Sequence, residues 1–172
     1  MKTKKMILCA LFAALTAVCS MISIPLPFTP VPVNLATLSV FLAGGLLGSR
    51  DGAVSQGIYV ILGAVGVPVF HSFTGGLGIL TGPTGGYIIG YIAAAWLTGF
   101  MIEKLGQSFM KNILSMIAGL AACYALGTLW FMYIMSTELA AALMMCVVPF
   151  LAGDALKILA GSILVKKLHR LI

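Results

Sequence analysis

The chain has 172 residues, 61% of them hydrophobic and 8% charged, with a net charge of +6. A soluble domain carries about 25% charge, so this composition describes an integral membrane protein and leaves no stretch for a soluble catalytic or ATP-hydrolysing domain. The basic excess is not a nucleic-acid signal, because in a membrane protein Lys and Arg gather at the cytoplasmic ends of the spans and their placement carries the information.

One helical span takes about 20 apolar residues, so the length accommodates five or six. Lys2, Lys4 and Lys5 precede a first apolar segment at 6–23. Its start imitates a signal peptide, but Ala17-Val18 before Cys19 fits neither a small-x-small cleavage site nor a lipoprotein site. A retained first helix is therefore expected. This segment carries Ala10 and Ala14, then Ala13 and Ala17, at four-residue spacing. Small residues so placed let helices approach closely in lipid, either within the protein or as a docking face for another membrane subunit.

Pro25, Pro27, Pro30 and Pro32 follow and end the helix, since proline lacks the N–H that a helix interior requires. A second segment runs over 34–48 and a third over 53–66, joined by a tight polar turn, Ser49-Arg50-Asp51-Gly52. Both are short for a span. Residues 66–87 hold seven glycines and two prolines and read as an apolar loop. A fourth segment at 86–102 is closed by Glu103, Lys104 and Gly106, and a fifth runs over 112–135. A short piece at 138–147 reads as a separate helix near the interface. Pro149 suits a first helical turn, which starts a sixth segment at 149–168.

Six segments place Lys2, Lys4, Lys5, Arg50, Lys104, Lys111, Lys166, Lys167 and Arg170 on one side, nine of the ten basic residues. The expectation is an all-α bundle of six transmembrane helices, one domain over 1–172, with both termini cytoplasmic and the Gly-rich loop between helices three and four outside. Five segments would separate the two basic termini. No inverted repeat of the secondary-transporter kind is visible.

The tenth basic residue is Lys157, three positions from Asp154 in VVPFLAGDALKILAGSILV. Ionisable groups at membrane depth cost several kcal/mol unless paired or facing a polar cavity, and they mark functional sites by default. At i,i+3 the two share a helix face. They form a structural ion pair, or they present an acceptor and a donor to a buried polar ligand beneath the outer loops.

Other motifs are less specific. Gly75-Gly76 and Gly82-Pro83-Thr84-Gly85-Gly86-Tyr87 open the fourth segment; free N–H groups at a helix start suit an anion, while a tight loop needing small residues gives the same pattern. The stretch lacks the ending of a nucleotide-hydrolase phosphate loop. Tyr87 and Tyr91 share a face and can stack on a ring, or sit in the interfacial aromatic belt, which suits Tyr91 better. Trp96 and Trp130 read as packing or lipid-facing. His71 lies in a wet loop without partners for a metal. Cys9, Cys19, Cys123 and Cys146 stand singly, with neither metal nor redox spacing. No Ser/His/Asp or Cys/His set appears, so neither an enzyme nor a cofactor is expected.

Three stretches, FTPVPVNLATLSVFLAGGLLGSRDGAVSQGIYVILGAVGVPVF, GGLGILTGPTGGYIIGY and VVPFLAGDALKILAGSILVKKL, resemble in order and spacing the biotin-specific S-component family of energy-coupling factor vitamin transporters (BioY). The resemblance covers most of 10–168, with GPTGGY and PF-x-x-GD-x-x-K as its specific elements. At 34 and 36, where the family pattern often has Thr and Gln, this chain has Asn34 and Ala36. The resemblance implies a six-helix protein in the plasma membrane that binds biotin from outside. It implies partners reached through helix one: a transmembrane coupling subunit and two ATPase subunits, which alone use ATP. By the same resemblance Asp154 accepts from the ureido N–H groups and Lys157 donates to the ureido oxygen. Thr84, Tyr87 and N–H groups around Gly75 and Gly76 hold the carboxylate, and Phe70, Tyr91 and Asn34 complete the contacts. The reverse orientation, with Lys157 on the carboxylate, is the alternative. Competing readings are an S-component for another small vitamin, a stand-alone biotin carrier, and a scaffold protein in which the pair is only structural.

Overall fold

In the computed structural model, which describes residues 3–169, the chain is a helical bundle with a small β-hairpin at one end. Its helices are α1 (Thr3–Met21), α2 (Ala36–Ala64), the single turn α3 (Leu77–Leu80), α4 (Gly85–Leu105), α5 (Phe109–Met135), α6 (Leu139–Cys146) and α7 (Leu151–Leu168). Four helical stretches, 3–21, 85–105, 109–135 and 139–168, are long and apolar enough to cross a bilayer unaided.

The remaining long helix, α2, is folded into two halves. Gly48 interrupts this helix at φ 85°, ψ 179°, backbone that glycine reaches without a Cβ clash. The second half folds back on the first: a Cβ on Gly52 would stand 2.9 Å from Gly44 and 3.0 Å from the Ala43 carbonyl oxygen. The expected polar turn at 49–52 is thus a single-residue reversal at Gly48. Ser49, Arg50 and Asp51 instead begin the second half-helix, because Glu103 takes its orphan donors. The Glu103 carboxylate accepts from the Ser49 N–H at 2.7 Å and from its hydroxyl at 2.8 Å. The half-helix 36–47 measures about 18 Å at 1.5 Å per residue, short of the ~30 Å hydrocarbon core. It is sheltered, since α2 packs on both α1 and α4 and buries an unbroken run from Ser39 to Leu46.

The proline run is a two-stranded antiparallel ribbon, not a bare loop: β1 (Ser23–Leu26) pairs with β2 (Thr29–Asn34). A lone ribbon tolerates prolines because both strands are edges. Pro25 sits at the irregularity in register between Ile24 and Leu26. The Leu35 N–H donates to the Cys19 carbonyl at 3.2 Å and ties the ribbon's exit to α1.

Two apolar clusters fill the bundle. One surrounds Tyr59, Phe70, Tyr87, Tyr91 and Phe131 at the ribbon end. The other surrounds Phe41, Met116 and Val165 toward the opposite, basic end. Tyr124 touches both. Lys5 pairs with Asp51 at 2.7 Å at the basic end, where the Lys111 ammonium donates to the Leu105 carbonyl. Lys2 and Arg170 fall outside the described residues. Helix boundaries agree with the sequence reading to within a few residues elsewhere, except that α7 begins at Leu151 after a 3-10 turn, Val148–Phe150, that holds Pro149. Asp154 therefore lies in the first turn of α7, at the end of the helix dipole that favours an anion.

Candidate functional site

Asp154 and Lys157 lie inside the bundle, with side chains 3% and 10% exposed and 2.8 Å between Nζ and Oδ1. Two other helices complete the cluster. The Thr37 hydroxyl of α2 donates to Asp154 Oδ1 at 3.1 Å, and Lys157 Nζ approaches the same Thr37 oxygen at 3.1 Å. From α5 the Tyr124 hydroxyl donates to Asp154 Oδ2. Three helices thus converge on one carboxylate, and every one of these bonds is charge-assisted. Removing a buried pair's partner costs several kcal/mol, whereas replacing both ions with apolar groups is often neutral. The cluster is therefore more than the bundle needs to hold together.

It borders a narrow cavity at the ribbon end. About 580 Å³ of free space, including the part open to solvent, lies between these side chains, within the range of about 300–1,000 Å³ typical of small-molecule pockets. The walls are mostly apolar or aromatic, among them Val31, Tyr87, Ile88, Tyr91 and Phe150. The polar groups are Ser20, Asn34, Thr37, His71, Thr84 and Tyr124 beside the charged pair.

Four further residues named from the sequence have these positions. Tyr87 and Tyr91 are both buried on the cavity wall, so Tyr91 does not belong to an interfacial belt. The Tyr87 hydroxyl bonds to the Thr128 hydroxyl at 3.0 Å, and the ring lies over Gly127, where a Cβ would strike it. Thr84 closes the cavity just before α4. Asn34 ends β2 and its Oδ1 accepts from the Ala36 N–H at 3.0 Å, which starts α2.

Phe70, Gly75 and Gly76 do not line the cavity. Phe70 is fully buried, its ring packed edge-on to Tyr59 and against Gly63. Gly75 lies where a Cβ would meet the Val67 carbonyl, and the Gly76 N–H donates to the Gly63 carbonyl at 2.7 Å. Of the other glycines of this stretch, Gly85 lies against the Leu80 carbonyl and Gly86 against Trp130, where close packing excludes a side chain. The N–H groups at the start of α4 are partly spent, Gly85 on the Gly82 carbonyl and Tyr87 on the Thr84 carbonyl, so the anion cradle expected there is weak. Trp130 secures this segment through Nε1 to the Gly82 carbonyl at 3.0 Å, while Trp96 is half exposed and stacked on Phe100.

His71 is at the cavity wall, not in an open loop, and burial lowers its pKa from the ordinary value. No set of three His, Cys, Asp or Glu side chains that would hold a metal exists among the described residues. Sequence reasoning missed Tyr124 and Thr37. Tyr124 had a signal, being a polar-tipped side chain in the middle of an apolar span. Thr37 had none, because it is 117 residues from Asp154 and meets it only through the fold.

On α1 the alanines divide. Ala13 and Ala17 are buried in the bundle, while Ala10 and Ala14 face outward between Ile7, Leu11, Leu15 and Val18.

The BioY family model matches residues 1–172. This chain belongs to the BioY family. It is 38% identical to the biotin transporter BioY of Thermotoga maritima, over 98% of this chain and 97% of that protein. It is 34% identical to the biotin transporter BioY of Rhizobium etli, over 95% of this chain and 92% of that one. Its fold superposes with a TM-score of 0.92, at 28% identity, on a crystal structure of the S-component for biotin from an ECF-type ABC transporter, covering 98% of this chain and 92% of that one. These relatives are transport proteins, and with its apolar spans this chain is a multi-pass membrane protein of the same kind.

Proposed function

We propose that this chain is the biotin-binding S-component of an ECF-type ABC transporter, a single domain that captures biotin from the outer side for ATP-driven uptake by partner subunits. The observation that carries the reading is the cluster of Asp154, Lys157, Thr37 and Tyr124 facing a cavity walled by aromatic and aliphatic side chains with a few neutral polar groups. A ureido group has two N–H donors and one carbonyl acceptor on a compact apolar bicycle. Asp154 takes the N–H groups as Thr37 and Tyr124 yield some of their contact, and Lys157 donates to the oxygen. The aliphatic tail then points toward Thr84, His71 and Tyr87. Charge-assisted hydrogen bonds contribute about 1.5–3 kcal/mol each. Two or three of them, with ring burial at about 25 cal/mol per Å², reach the ~12 kcal/mol of nanomolar binding.

The charge map supports the orientation, with the basic end cytoplasmic and the ribbon and Gly-rich segment outside, in the plasma membrane. The docking face for a transmembrane coupling subunit is the outward stripe of α1 at Ala10 and Ala14. The small side chains there admit a close helix–helix approach, and ATP is used only by two ATPase subunits beyond it. The protein itself needs no cofactor.

A binding isotherm for biotin on the purified chain, beside Asp154→Asn and with thiamine and riboflavin as controls, tests the proposal. Biotin alone is expected to bind, at least tenfold more weakly in the variant. Equal affinity for all three vitamins, or an unchanged variant, would sink it. Uptake in a host without the coupling module separates a stand-alone carrier from the assembled transporter.

A further inference from the structure

Away from the cavity, at the basic end of the bundle, the start of α5 and the end of α7 flank a second hollow. Its walls are Phe109 and Ile163 and its rim is Lys166 and Lys167, with about 840 Å³ of free space open to the surroundings. The two helices that flank it carry exposed apolar side chains toward their middles: Met110, Leu114 and Ile117 on α5, and Leu159 and Ile163 on α7, all expose a third or more of their area. The hollow is thus apolar toward the membrane centre and cationic at its end.

The other cations of this end are mostly engaged. Lys5 pairs with Asp51, Lys111 donates to the Leu105 carbonyl, and Lys104 stands over the Phe100 ring. Among the described residues, Lys166 and Lys167 make no hydrogen bond or ion pair. Asp51 and Glu103, the acidic groups of the basic end, are bonded to Lys5 and to Ser49. Cations in the last turn of α7 complement its dipole, which accounts for their presence. It does not account for their standing together, uncompensated, over an apolar hollow. The first turn of α5 adds the positive end of its own dipole beside them, with the Ser108 hydroxyl accepting only the Lys111 N–H at 3.4 Å.

We propose that this hollow is a site for one anionic phospholipid, with an acyl chain against Phe109 and Ile163 and the phosphate between Lys166 and Lys167. Charge complementarity selects the headgroup, since a zwitterionic lipid brings its own cation to two ammonium groups. The apolar floor selects a lipid over a free phosphate or an acidic peptide, neither of which covers Phe109 and Ile163. Juxtamembrane lysines each favour an anionic surface measurably, and two acting on one phosphate place the preference for anionic over zwitterionic lipid at roughly tenfold or more.

The test uses the full chain in detergent, with phosphatidylglycerol or phosphatidylcholine of the same acyl composition added, read by retained adducts in native mass spectrometry and by the melting temperature. Phosphatidylglycerol should be retained at least tenfold more strongly and raise the melting temperature further. The double variant K166Q/K167Q should lose that difference while its biotin affinity stays unchanged, which shows that it has folded. Equal retention of the two lipids, or a variant that keeps the preference, overturns the site. A shift reproduced by glycerol phosphate alone would mean a headgroup pocket without the groove. A double variant that retains the lipid but fails to assemble with the coupling subunits would give the surface to a protein partner.

Discussion

Two Lys–Asp pairs among the described residues have nearly equal length and opposite settings. Lys5 meets Asp51 at 2.7 Å with its side chain 58% exposed, while Lys157 meets Asp154 at 2.8 Å with both side chains nearly enclosed. The first joins α1 to the reversal after Gly48. Its lysine keeps most of its hydration, so the contact exchanges water for a carboxylate at little net gain. The second stands in surroundings where losing one member strands the other. Distance alone therefore says nothing about what an ion pair does. What distinguishes them is the company: a hydroxyl from each of two more helices is brought to Asp154, and a cavity opens beside it.

The largest effect should follow from Asp154→Ala, which leaves the Lys157 ammonium buried and alone. A loss of about 3–5 kcal/mol of stability is expected, seen as a lower melting temperature, together with loss of biotin binding. Asp154→Leu combined with Lys157→Met should regain most of that stability and still not bind. A double variant that binds would show that the pair is only scaffolding. Next comes Tyr124→Phe, which removes one hydrogen bond to the carboxylate. At about 1.5–3 kcal/mol it should weaken biotin binding tenfold or more in an isotherm. Lys5→Gln at the other end should cost less than about 1 kcal/mol and leave affinity untouched; a melting temperature falling as far as in Asp154→Ala would erase the contrast between the pairs.

The smallest effect is a slope with pH. His71 has its pKa lowered by burial, so the unfolded chain binds its proton first as pH falls. Stability is at its full value above the ordinary histidine pKa of about 6.5 and declines below it toward the lowered value. Melting curves between pH 7.5 and 5 should show this decline, and His71→Asn should flatten it.

Much of this was legible in the sequence. The spans follow from apolar length, and the charged pair announced itself because lipid penalises it. What stayed hidden depended on contacts between distant segments. The reversal moved from the polar stretch 49–52 to Gly48 because Glu103, 54 residues away, caps Ser49. The proline run paired into a ribbon because strand pairing has no signal in a segment defined by what it cannot form. Phe70, which the family resemblance assigns to the ligand, packs instead on Gly63, while Gly75 lies against the Val67 carbonyl and the Gly76 N–H is spent on the Gly63 carbonyl. The alanines of α1 share one spacing, and only the bundle decides which of them face inward.

The clasp between the Trp130 indole and the Gly82 carbonyl also makes the protein its own optical probe. The chain has two tryptophans. Trp96 lies on the outer surface, stacked on Phe100, and supplies a constant lipid-side background. Trp130 holds the segment that leads to Thr84 on the cavity wall, so any displacement of that segment alters the polarity at its ring nitrogen and shifts its emission. With Trp96 replaced by Phe, entry and exit at the cavity become readable in real time from the unlabelled chain.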